Sequence, residues 1–207
     1  MSAPVAAMSA TAALALVFGG AVIVAATVLA VRGRSVAAGL WWVALAGLGQ
    51  AMLGLAVAAQ DPQGDGARAT ALQLLTVATA MVLAAICSGS AASEGDRADT
   101  DSLSPVGRCL VWASLIGVPG TMGFHAKVVL VRALLSLDWS GMSLLVLAAG
   151  AAATWPALAA LRAPYPGRLR GLRRLATYLL VGIVLLLGLY PQWAVTSADW
   201  VARVAFS

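Results

Sequence analysis

The chain has 207 residues, 61% of them hydrophobic and 10% charged, with a formal charge of +5 and a mean hydropathy of +0.92. Ordinary soluble domains carry about 25% charged residues, so this composition excludes one and points to a polytopic membrane protein, helical because lipid offers no partners to open backbone. The positive charge is not arranged for nucleic acid. All but one of the 13 basic residues are arginine, and Arg162, Arg168, Arg170, Arg173 and Arg174 share one short loop between apolar runs, the mark of a cytoplasmic loop.

The first apolar run covers roughly residues 9–31 and ends at Arg32 and Arg34. It is long enough to span and lacks the basic leader of a cleavable signal, so it is expected to remain as a helix. The second run, about 36–59, opens with Trp41 and Trp42 and closes on a turn-rich polar segment at 60–66. The third, about 67–89, leads into the polar, acidic stretch 90–104, which reads as an exposed loop. The fourth, about 106–136, is too long for one simple span and carries Gly117, Pro119, Gly120 and Gly123 near its middle. Proline removes a backbone donor and glycine relaxes the chain, which predicts two half-helices meeting inside the membrane. A fifth run at about 141–161 and a sixth at about 175–191 flank the arginine loop, and the tail 192–207 suits an interfacial helix. Six spans in a single transmembrane domain over 1–207 follow.

Alternation places the loops after runs one, three and five on one side. Their arginines put them in the cytoplasm and both termini outside, in a bacterial-type inner membrane. Trp139, Trp193 and Trp200 read as belt anchors and Arg132 as an interfacial residue. Cys87 and Cys109 are widely spaced and stand beside no second histidine, so neither a metal site nor a cofactor is expected.

The only lysine, Lys127, and the only histidine, His125, both lie in the fourth run. An ammonium at bilayer depth costs at least about 2.5 kcal/mol, so it persists where it works or is compensated. Lys127 can act as a proton-transfer group, pair structurally with another helix, or snorkel to the interface. Two positions away on a helix, His125 points to a different face and is a weaker relay candidate. Gln50 is a second weak candidate, able to hold water near Lys127, while Gln73, Thr76 and Thr79 read as interhelical glue.

The segment Leu115-Ile-Gly-Val-Pro-Gly-Thr-Met-Gly-Phe-His-Ala-Lys127 resembles the broken helix of the antiporter-like subunits of respiratory complex I, which the family writes Leu-Ala-Gly-Ile-Pro-Pro-x-x-Gly-Phe-x-x-Lys. Subunit N is the nearest pattern, and Mrp antiporters and membrane-bound hydrogenases carry relatives of it. The segment 40–50 is similar to the family's Leu-x-Tyr-Ser-Ser-Ile-x-His-x-Gly-Tyr helix, and 187–191 to its closing Leu-Gly-x-x-Pro. The likeness covers only the family's second half: the second five-helix repeat plus a closing helix. It implies that Lys127 is the terminal proton-exchange residue beside an outward half-channel. Two features depart from the pattern. No apolar run holds a carboxylate, and the family's serine pair and histidine align with Val43, Ala44 and Gly47.

The resemblance implies a membrane subunit of a larger proton-translocating assembly, of the quinone-reductase, hydrogenase, antiporter or carbon-uptake kind, with other membrane subunits as partners and another antiporter-like chain among them. No nucleophile, metal cluster or phosphate loop suggests catalysis by this chain alone, so any enzymatic activity belongs to the assembly. The alternative is a non-conducting structural or docking subunit of the same descent. The absent carboxylates and histidine favour that alternative, and the retained lysine favours conduction.

Overall fold

The computed structural model describes residues 8–33, 35–60, 64–88, 105–162, 172–189 and Thr196. Every element among them is helical: α1 (Ala10–Arg32), α2 (Val36–Ala58), α3 (Asp65–Ser88), α4 (Pro105–Ile116), α5 (Met122–Ser136), α6 (Ser140–Ala152), α7 (Thr154–Arg162) and α8 (Leu172–Leu189). Four segments are long and apolar enough to cross a bilayer: α1, α2, most of α3, and the α6–α7 segment Ser140–Arg162. The chain is therefore an all-helical protein of membrane type. The 90–104 loop, the 163–171 part of the arginine loop, and the tail tryptophans Trp193 and Trp200 lie outside the described residues.

Local sequence explains where these helices start and stop. Ser9 Oγ accepts the Ala12 N–H at 3.2 Å and Ser35 Oγ accepts the Ala38 N–H at 3.1 Å, each satisfying a donor that a helix start leaves unbonded. The 106–136 run divides, with α4 ending at Ile116 and α5 beginning at Met122. The 141–161 run also divides, at Ala153, which its apolar pattern does not foretell. Pro156 falls in the first turn of α7, where its missing N–H costs no helical bond.

Packing runs on small residues. A Cβ on Gly19 would stand 2.9 Å from the Gly49 carbonyl, and one on Gly49 would stand 2.9 Å from the Gly19 carbonyl and 3.1 Å from the Ile23 amide. The α1 and α2 backbones thus touch, as glycines permit within a membrane. Along α2 and α3 the same device recurs: a Cβ on Gly54 would overlap Thr70 Oγ1, and one on Gly66 would overlap the backbone of Ala58. Thr70 Oγ1 reaches across as well, donating to the carbonyls of Gly66 (2.9 Å) and Ala51 (3.3 Å).

Two large apolar clusters and a smaller one around Leu72 and Met122 form the interior. Of the large ones, one gathers around Trp112, Leu83 and Ala160, the other around Ile23, Leu53, Leu130 and Val146. The outer surface is apolar too, with Leu14, Val17, Phe18, Leu144 and Leu179 all exposed. Such a surface suits lipid, where the hydrophobic effect does not drive helices together and close van der Waals contact must.

Gly49→Ala is therefore expected to destabilise the bundle by about 1–3 kcal/mol, since backbone has to move to admit the methyl group. Gly182, in α8, has nothing within 4 Å of its Cβ position, so Gly182→Ala should be neutral or stabilising by up to about 1 kcal/mol. Parallel denaturant titrations of the two variants check this.

A lysine cradle at the helix interruption

The interruption after α4 has a definite hydrogen-bond pattern. Gly117 adopts φ +86°, and the Gly117 and Val118 N–H groups both donate to the Ala113 carbonyl at 2.9 Å. This left-handed glycine termination closes the helix. A turn follows, in which Gly120 has φ +87° and the Val118 carbonyl accepts both the Thr121 N–H (3.1 Å) and the Thr121 hydroxyl (2.7 Å). The chain then re-enters helix at Met122.

This pattern leaves carbonyls of the last turn without their helical donors, that of Leu115 among them. In a continuous helix the Leu115 oxygen would accept the N–H of residue 119, but residue 119 is proline and has none. Lys127 Nζ supplies the missing donor, at 2.6 Å from the Leu115 oxygen. The lysine is only 8% exposed, so both partners are withdrawn from solvent and their bond carries extra weight.

Glycine makes the slot through which the lysine reaches. A Cβ on Gly117 would stand 2.9 Å from Lys127 Cδ and 3.1 Å from Nζ, and one on Gly150 would stand 3.7 Å from Cε. Gly117 thus serves twice, for its left-handed backbone and for the side chain that crosses it. Gly123 brings α5 so close to α4 that a Cβ would overlap the Ser114 carbonyl.

Lys127 and Gly150 border two spaces. One is a groove of about 570 Å³, walled by Val128, Val131, Val146 and Leu147, with Arg132 and Thr154 also on its lining. The other is a small internal pocket that Thr27, Gln50, Gly47 and Leu115 help to line. That pocket sits at the seam of the two large apolar clusters, taking Ala30, Val43 and Ala153 from one and Ala149 from the other.

Gln50 thus joins Lys127, whereas His125 does not. The His125 ring lies edge-on to Phe124, and its Nε2 stands 2.7 Å from the Gly188 carbonyl. A carbonyl can only accept, so that nitrogen carries the proton. Gly188 itself presses on the interruption, where a Cβ would overlap the Gly120 carbonyl. His125 and Gly188 therefore fasten α8 to the turn. Thr76 and Thr79 bond back to the carbonyls of Leu72 and Leu75 on their own helix, each at 2.8 Å. Among the described residues no carboxylate reaches Lys127, the one ion pair being Arg68–Asp65 at the start of α3, and no group of histidine, cysteine and acidic side chains could hold a metal.

Sequence reasoning missed three contributors: the Leu115 carbonyl, Gly150 and Thr27. The first carried a signal, since a proline four residues ahead strands a carbonyl wherever helix would otherwise continue. Gly150 and Thr27 carried none, because only the packing of α1 on α2 and α6, and of α6 on α5, brings them to the lysine. No family model and no curated protein matches this chain.

A double-variant cycle tests the compensation between Pro119 and Lys127. Lys127→Met should leave the Leu115 oxygen unpaired at a cost of about 1–3 kcal/mol. Adding Pro119→Ala returns a backbone donor, so the double variant is expected to be more stable than Lys127→Met alone. Strict additivity of the two effects in unfolding experiments would contradict the pairing.

Proposed function

We propose that this chain is a membrane subunit of a larger proton-translocating assembly, in which Lys127 passes protons between the internal pocket and the lateral groove. The observation that supports the reading best is the position of Lys127. One buried side chain forms part of both linings and is held in place by a backbone carbonyl rather than a fixed counter-charge. An amine so placed answers to hydration and to an approaching carboxylate, which is what a relay requires. The likeness of 115–127 to the broken helix of the complex I antiporter-like subunits points the same way.

In this reading α4 and α5, of 12 and 15 residues, form one interrupted span, each alone being shorter than the roughly 20 residues a bilayer needs. With α8 as the last, the spans number six, in a bacterial-type inner membrane with both termini outside. The groove and the interruption face other membrane subunits. One of these is an antiporter-like chain bringing the carboxylate that the described residues do not offer Lys127.

A second reading, a structural subunit that does not conduct, draws on Gly47. This is the position that matches the family's histidine, and a Cβ there would stand 2.7 Å from Val77 Cγ2 and 3.1 Å from Gln73 Nε2. Packed side chains thus take the volume an imidazole would need.

Conduction predicts that Lys127→Gln, which keeps an amide donor, assembles at wild-type abundance while proton-coupled activity is lost. The structural reading predicts normal activity wherever assembly is normal. Measuring complex yield and proton flux in the same membranes distinguishes the two, and unchanged flux with normal assembly would exclude the relay.

Orientation is tested separately. In a background with Cys87 and Cys109 replaced by alanine, Arg170→Cys is expected to react with a membrane-impermeant maleimide only from the cytoplasmic side, because arginine-rich loops are retained there. Labelling from the periplasm would overturn the topology.

A further inference from the structure

The internal pocket beside Lys127 measures about 10 Å³, the lower limit of the space a single water molecule occupies. Its walls are mostly alanine, valine and glycine, yet its polar members are conspicuously underused. Gln50 is 3% exposed, and its Oε1 finds no hydrogen-bond partner among the described residues. Thr27 Oγ1 is buried without a partner as well. This threonine differs from Thr70, Thr76 and Thr79, each of which donates to the carbonyl four residues back. Forgoing the bond that a helical threonine ordinarily makes leaves the Thr27 hydroxyl to serve another group. Lys127 Nζ, for its part, carries three donors when charged, of which the Leu115 carbonyl takes one.

Buried polar atoms left unpaired in an apolar interior cost free energy unless something bonds them. Neither oxygen bonds the other or the ammonium, and one water molecule offers a bond to all three: it accepts from Lys127, donates to Gln50 Oε1 and exchanges a bond with the Thr27 hydroxyl. Three partners is the usual number for a buried water. The pocket does not suit a metal ion or a monovalent cation, since the nearest charge is an ammonium.

We propose that Thr27, Gln50 and Lys127 bind one structural water molecule in the small pocket among α1, α2, α4, α5 and α6. The site stands whether or not Lys127 conducts, because it follows from unpaired oxygens and available volume. Where Lys127 does conduct, this water is the group with which it exchanges a proton in the pocket, in place of a histidine or carboxylate.

The chain holds a single lysine, so a uniformly ¹⁵N-labelled full-length sample in lipid nanodiscs gives one Nζ signal. Water-edited solid-state NMR should show magnetisation passing from water to Lys127 Nζ and to the Gln50 side-chain amide, the latter assigned by its disappearance in Gln50→Leu. Thr27→Val should abolish the transfer to the Gln50 amide, Thr27→Ser should retain it, and Thr79→Val should leave it unchanged. Should Thr27→Val fail to fold, as the helical backbone signals would reveal, the wild-type spectrum still decides the matter. Absence of transfer to the Gln50 amide in a folded wild-type sample overturns the proposal, as does transfer that persists in a folded Thr27→Val variant. The readout is water contact rather than flux, so a failed relay and a missing water give separate results.

Discussion

The bond between Lys127 Nζ and the Leu115 carbonyl, 2.6 Å long, is the point on which the rest of this structure turns. It resolves two debts at once, a charge with no solvent and a carbonyl whose helical donor is a proline. Neither group is tolerable alone in an apolar interior. The interruption of the helix is thus part of the lysine's environment, and removing it would remove the acceptor as well.

Around this bond the bundle is arranged by backbone proximity. Glycine at 117 and 150 lets the lysine stem pass, glycine at 123 lets α5 lie against the end of α4, and glycine at 188 lets α8 rest on the turn where His125 holds its carbonyl. At 117, 123 and 188 a Cβ would collide with its neighbours, whereas at 150 it would stand at ordinary contact distance from the lysine stem. Among the described residues the lysine is therefore met by main chain and not by a counter-charge. In the proposed function that distinction matters, because a fixed salt bridge would immobilise the proton that a relay must release.

The two spaces that the lysine borders differ in kind. The groove is wide and apolar, with Arg132 as its second cation. The inner pocket is narrow and supplies neutral oxygens only. In the proposed function the groove is where a partner subunit would bring negative charge, and in the proposed site the pocket is where the lysine would keep a water molecule.

Much of this was legible in the sequence. The apolar runs locate the long helices because burial in lipid leaves helix as the sole way to pair the backbone, and Gly117 and Pro119 mark where α4 ends because no neighbouring residue can undo a left-handed turn or a missing N–H. The lysine stands out by its cost. Three things were decided only in three dimensions. Sequence does not say which carbonyl the ammonium would find, that His125, already placed on another face from the lysine, would bond to α8, or that Thr27 on α1 would share a pocket with Gln50 on α2. The reason is physical: hydropathy and backbone rules act within a few residues of one another, whereas the orientation of a polar side chain in an apolar bundle is set by which small residues of distant helices let their backbones come close.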